Sequence, residues 1–201
     1  MKKKLLFIIL LILTNKSFSQ KTKFSAELNY PFLFTHNFIA DNYSGIIDLG
    51  LKYRFINAKK VNLGISINAG ILKTNNEINS VTQNYKITIY ELDPKIFAEF
   101  NYSKIHPFVG IGYTSMIFKS STSNINIIPI GQKDGYYRDG FSLNNTQSGL
   151  NLNIGLKYDF YKNLFSQIQY NYILLGTKEP IINSRYNSNV NIIKIGIGIN
   201  F

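Results

Sequence analysis

The chain has 201 residues, with 22 lysines and arginines against 11 acidic residues, two histidines and no cysteine or tryptophan. A disulfide framework, a cysteine nucleophile and cysteine-based metal sites are thereby excluded. The formal net charge of +11 raises nucleic acid as a partner, but a leader for export makes an anionic membrane surface the fitting counterpart and nucleic acid is not expected.

That leader is "MKKKLLFIILLILTNKSFSQ". Lys2, Lys3 and Lys4 precede nine apolar residues, Leu5 to Leu13, and Ser17 and Ser19 occupy small-x-small cleavage positions. A secretory signal peptide over 1–19 is predicted, leaving residues 20–201 as one domain. Nine apolar residues are too few for a transmembrane anchor, which takes about 20. Cleavage leaves 18 basic residues against 11 acidic ones, a net charge of +7.

Eight segments of period two follow, and helical spacing fits none of them. "KFSAELNYPFLF" sets Phe24, Ala26, Leu28 and Tyr30 against Ser25, Glu27 and Asn29. "YSGIIDLGLKYRF" opposes Ile47, Leu49, Leu51, Tyr53 and Phe55 to Asp48, Gly50, Lys52 and Arg54. "VNLGISINAGI" alternates from Val61 to Ile71 against Asn62, Gly64, Ser66, Asn68 and Gly70. "YKITIYELDPKIFAEFNY" puts Tyr90, Leu92, Ile96, Ala98 and Phe100 opposite Glu91, Asp93, Lys95, Glu99 and Asn101. Its Pro94 predicts a bulge, because proline cannot donate to the ladder. "HPFVGIGYTSMIF" carries Val109, Ile111, Tyr113 and Ile117 on its apolar face. "LNLNIGLKYDF" opposes its apolar even positions, Leu150 to Phe160, to Asn151, Asn153, Gly155, Lys157 and Asp159. "FSQIQYNYILL" sets Ile168, Tyr170, Tyr172 and Leu174 against Gln167, Gln169 and Asn171. "VNIIKIGIGINF" ends the chain with Ile193, Ile195, Ile197, Ile199 and Phe201 against Lys194, Gly196, Gly198 and Asn200.

Alternation alone does not say which face points inward, since a secreted lipocalin-like barrel alternates too. Three features place the apolar face outside. The polar face is mostly Gly, Asn, Ser, Gln and Thr, small residues suited to a crowded lumen rather than to a soluble surface. The segments run to roughly 10–13 residues, which suits a tilted membrane strand. Short connections at Asn57–Lys60, Ser103–Ile105 and Tyr161–Asn163 alternate with long ones near 36–42, 73–84, 119–148 and 176–188. The predicted fold is an all-β, eight-stranded antiparallel transmembrane barrel with short periplasmic turns, long extracellular loops and periplasmic termini. Outward rings then form two belts. Phe24, Tyr53, Phe55, Phe100, Tyr102, Tyr158, Phe160 and Phe201 lie at the short-turn end, and Tyr30, Tyr43, Tyr90, Tyr113 and Tyr172 lie higher.

The leader ending "SFSQ", the "YELDPKIFAEFNY" strand, the "HPFVGIGY" that follows and the terminal Phe201 together resemble the small outer-membrane β-barrel domains of Bacteroidota. That group is similar in architecture to OmpX and to the OmpA membrane domain, and includes PorT-like proteins. The resemblance covers the mature chain and implies outer-membrane location rather than an activity. It also implies that Phe201 is read by the barrel-assembly machinery.

Little in the sequence carries chemistry. His36, with Ser44 or Ser80 as nucleophile and Asp41 as orienter, is the sole candidate for a lipid A-modifying site. No motif spacing links these residues, so no enzyme is expected. "GQKDGYYRDG" holds Asp134 and Asp139 without calcium-loop spacing, and no cofactor or metal is expected. The polar face says more. Glu27, Asp48, Glu91, Asp93, Glu99 and Asp159 point inward with Lys52, Arg54, Lys95, Lys157 and Lys194, six acids against five bases. Buried charge persists when paired, so a closed lumen held by ion pairs is expected, with a narrow gated pore as the alternative. Lys73, Lys86, Lys119, Lys178 and Arg185, near the outer strand ends, are candidates for lipopolysaccharide phosphates. The 119–148 connection exceeds what a hairpin needs. Its "NINIIPI" and "GYYRDGFSL" runs suggest a protruding ribbon that could bind a surface protein. A monomer acting by structural or surface contact is the resulting expectation.

Overall fold

The computed structural model describes residues 23–74, 78–80, 83–122, 125–127, 136–138, 142–176 and 188–201. Eight long strands form the wall: β1 (Phe24–Leu33), β2 (Tyr43–Asn57), β3 (Val61–Thr74), β5 (Gln83–Phe100), β6 (Ile105–Thr122), β9 (Ser142–Tyr161), β10 (Leu164–Leu175) and β11 (Asn189–Asn200). Each pairs antiparallel with its neighbours, and β3 pairs with β5 across the three-residue β4 (Ile78–Ser80), which adds to the upper end of β5. The last strand closes on the first, from Ser25↔Asn200 to Leu33↔Ile192, and the Phe201 amide donates to the Phe24 carbonyl at 2.8 Å. Closure removes the sheet edges that would otherwise seek partners. Among the described residues no helix is long and apolar enough to cross a membrane.

The eight predicted segments are the eight wall strands. Their apolar residues face out, with Leu51, Ile96 and Ile197 each 60% exposed or more, while the polar alternates are buried inside. Three connections are tight, at 58–60, 101–104 and 162–163, and both ends of the wall lie beside them. The opposite end carries the long connections. One of these contains β7 (Ile125–Ile127) paired with β8 (Tyr136–Arg138), while the first contains the short helix α1 (Phe38–Asn42). Asn37 caps α1, its Oδ1 accepting from the Ala40 amide at 2.8 Å, which satisfies one of the orphan donors of the first turn.

Two local expectations are corrected. Pro94 makes no bulge. It stays in register opposite Ile67, and β5 and β6 run on from Leu92↔Ser115 to Lys95↔Gly112 with no residue inserted. The ladder toward β6 simply lacks paired rungs at Asp93 and Pro94, which is the cost of the missing amide proton. Tyr43 is not an outward ring of the upper belt. It is 3% exposed and points into the lumen, because β2 inserts an extra residue between Gly45 and Ile47. One inserted residue exchanges the two faces of everything above it. The extra residue, Ile46, faces out.

Candidate functional site

The lumen is the candidate site, because strand alternation delivers most of the chain's charged wall residues into it. An eight-stranded barrel is only wide enough for side chains to fill, and glycines set where the large ones fit. A Cβ at Gly64, Gly155 or Gly198 would lie 2.6, 2.4 or 2.2 Å from the ring carbons of Phe97, Phe108 and Phe165 respectively. Each of these inward rings therefore lies over a glycine of a paired strand.

At the short-turn end, Arg54 on β2 holds Glu99 on β5 with two parallel bonds, Nε to Oε1 at 3.0 Å and Nη2 to Oε2 at 2.7 Å. Its Nη1 donates to Ser25 Oγ at 2.6 Å, and that hydroxyl donates to Asn200 Oδ1 at 3.0 Å. The planar guanidinium thus ties β2, β5 and β1 together, and through Ser25 the closing strand β11. Lys157 lies 3.6 Å from both Glu99 and Asp159, and His106 meets Asp159 at 2.8 Å and Asn101 at 3.1 Å.

One layer higher, Lys52 pairs with Glu27 at 3.1 Å, donates to Gln167 and lies 4.3 Å from the Phe108 ring centre. Lys194 crosses the lumen from β11 and serves two carboxylates, Asp48 Oδ2 at 2.7 Å and Glu91 Oε1 at 3.0 Å. Asn29 and Asn68 complete Asp48 at 2.9 and 2.8 Å. Asp93 accepts from Lys95, Thr114 and Asn151. The eleven charged residues singled out from the sequence are all placed inside the wall and drawn into these two layers. Asp159, at the mouth, keeps partial access to solvent.

The third layer is apolar. Leu72, Ile89, Met116, Ile173, Leu175, Val190 and Ile192 fill the long-loop end of the lumen, joined by Tyr43 and, from α1, by Ile39. Sequence reasoning missed this plug, along with the amides of Asn29, Asn68 and Asn151 that complete the carboxylates and that of Gln167, which accepts from Lys52 and donates to Asn29. A signal for the plug existed. The doublets Ile71–Leu72, Met116–Ile117, Ile173–Leu174 and Ile192–Ile193 break alternation, which marks strand positions apolar on both faces.

The remaining candidates lie apart from the lumen. Phe201 is exposed on the outer surface at the short-turn end. Lys73 and Lys119 are exposed near the long-loop end, and Lys119 Nζ stands 5.3 Å over the Tyr90 ring. The Lys86 side chain, Lys178 and Arg185 lie outside the described residues, as do Asp134, Asp139, the Ser80 side chain and the signal peptide. His36 Nδ1 lies 3.7 Å from Asp41, yet the imidazole stands wholly in solvent. Of the 119–148 connection, β6 and β9 continue pairing up to Ser121↔Ser142, and β7 and β8 form a separate two-stranded ribbon.

The family model for the outer membrane protein beta-barrel domain matches residues 5–201. No curated protein matches the chain by sequence. Among solved structures it is similar to Ail, the attachment invasion locus protein of Yersinia pestis, crystallised with the heparin analogue sucrose octasulfate. Identity there is 15%, over 90% of this chain and 100% of that one, with a TM-score of 0.55. Neisserial surface protein A matches at 11% identity over 89% and 97% of the two chains, with a TM-score of 0.49. The outer membrane enzyme PagL matches at 15% identity over 89% and 99%, with a TM-score of 0.46.

Proposed function

The chain thus belongs to the outer-membrane β-barrel domain family, and from that premise we propose that it acts at the cell surface, as a closed barrel presenting its long-loop end to a partner. It is a protein of the outer membrane. Residues 1–19 are removed on export, the short turns and both termini face the periplasm, and Phe201 is recognised by the assembly machinery. Lys73 and Lys119 stand where lipopolysaccharide phosphates would meet them, and the chain resembles Bacteroidota barrels of the PorT-like kind. The barrel works as a monomer.

One observation supports the surface role above the rest. Pairing of β6 with β9 continues seven residues beyond Thr114↔Gly149, to Ser121↔Ser142, whereas β10 stops at Leu175↔Gly149. Among the described residues, the far edge of β9 from Ser142 to Gln147 has no paired strand. An edge of this kind, standing above the membrane, can accept an extended segment of another protein by strand addition. A pore or a lipid-modifying enzyme fits less well. The lumen is filled through three layers, and His36 is surrounded by solvent.

The test is replacement of residues 122–141 by a tight turn, combined with charge placed on the β9 edge by Asn144→Lys and Thr146→Lys. Loop length costs little, so the variant should assemble as a heat-modifiable barrel while reproducing the envelope defect of a strain lacking the protein. Full complementation by the variant would overturn the surface reading.

A further inference from the structure

The middle layer of the lumen is one positive charge short. Glu27, Asp48, Glu91 and Asp93 face Lys52, Lys95 and Lys194, four carboxylates against three ammonium groups. The shortfall falls on Glu91. Asp48 accepts from Lys194, Asn29 and Asn68, and Asp93 from Lys95, Thr114 and Asn151. Glu91 shares Lys194 with Asp48 through one oxygen, and its other oxygen, Oε2, is buried with no partner.

The neutral groups of the layer point the same way. Asn68 Oδ1, Asn151 Oδ1 and Asn171 Oδ1 are also buried and unpartnered, while only Gln169 Nε2 and Asn171 Nδ2 are unpartnered donors there. Asn171 is wholly buried on β10, paired with Ile192 two residues from Lys194, so it projects into the lumen. Buried polar atoms normally have partners. A layer left with an excess of bare oxygens and a net negative charge calls for a hard cation rather than for an anion or an apolar guest. The apolar plug above and the Arg54–Glu99 layer below shield it from bulk water.

From this we infer that the lumen holds a site for one small monovalent cation, between Glu91 Oε2 and the side-chain oxygens of Asn68, Asn151 and Asn171, charged against the Asp48–Lys194–Glu91 bridge. A sodium ion and a bound proton supply the same charge, and the experiment separates them. The full chain is refolded from urea into detergent micelles at constant ionic strength, with sodium replaced stepwise by choline, at several pH values. A sodium site makes the unfolding midpoint of the unmodified protein rise with the logarithm of sodium concentration, while Glu91→Gln shows no dependence. A proton in the same place gives a sodium-independent midpoint that falls as pH rises, flattened in Glu91→Gln. Should Glu91→Gln not fold, Asp48→Asn removes the same charge from the other side of Lys194 and must flatten the response equally. Identical responses of the unmodified protein and these variants to both sodium and pH would overturn the site, leaving the oxygens to water alone. The surface reading is untouched by that outcome, since it rests on the β9 edge.

Discussion

The two ends of the lumen are filled by opposite chemistry. At the short-turn end, charges are buried in pairs and completed by amides. At the long-loop end, the same inward positions carry isoleucine, leucine and methionine, with Ile39 of α1 folded onto them. Closure is thus achieved twice, and the two seals fail differently. A charge layer fails when one partner is removed, because the other stays buried and unpaired. An apolar layer fails in proportion to the volume removed.

The largest expected effect is on the charge layer. Glu99→Leu leaves Arg54 without its carboxylate and Lys157 with Asp159 alone, and should cost about 3–5 kcal/mol of unfolding free energy in micelles. The double replacement Arg54→Met with Glu99→Leu should recover part of that loss. If the single variant is as stable as the unmodified barrel, the layer is not held by this pair. In the apolar layer, Ile192→Ala should cost about 2–5 kcal/mol with no dependence on pH between 5 and 9, since nothing there titrates in its place. A loss below about 1 kcal/mol would show that Ile192 is not packed into the plug.

A smaller effect tests how the rings are fitted. Gly198→Ala drives a methyl group toward Phe165, where the ideal Cβ lies 2.2 Å from the ring, and should cost about 1–3 kcal/mol. Phe165→Leu in the same chain should relieve part of it, since the Ala26 carbonyl oxygen also lies 2.6 Å from that Cβ, as urea titration would reveal. The smallest effect on stability, a few tenths of a kcal/mol or about that, is expected from replacing 122–141 by a tight turn. Phe201→Ala tests assembly rather than packing. It should lower the yield of folded barrel in the outer membrane while leaving the refolded protein nearly as stable, and an unchanged yield would remove Phe201 from the assembly role.

How far the sequence could be read follows the same division. The wall strands and the inward charges are legible because a half-polar strand alternates, and period two is a local property. The upper lumen is not, because strands apolar on both faces lose the period that would assign a face. Tyr43 shows the second obstacle. Its direction is set by one inserted residue beside Gly45, and a bulge leaves no mark in composition. Pro94 shows the converse, a residue that breaks a local rule yet stays in register because the ladder toward β3 holds it. The pairings themselves, such as Lys194 with Glu91 across the lumen, depend on register around the whole barrel, which no single segment encodes.

If both ends of the lumen are sealed and the protein works through its outer end, the lumen conducts nothing. Conductance of the purified, unmodified protein in planar bilayers tests it most directly. A silent membrane is expected, with no stable steps at any polarity. Regular, ion-selective openings from the unmodified chain would contradict it and make the lumen itself the functional element.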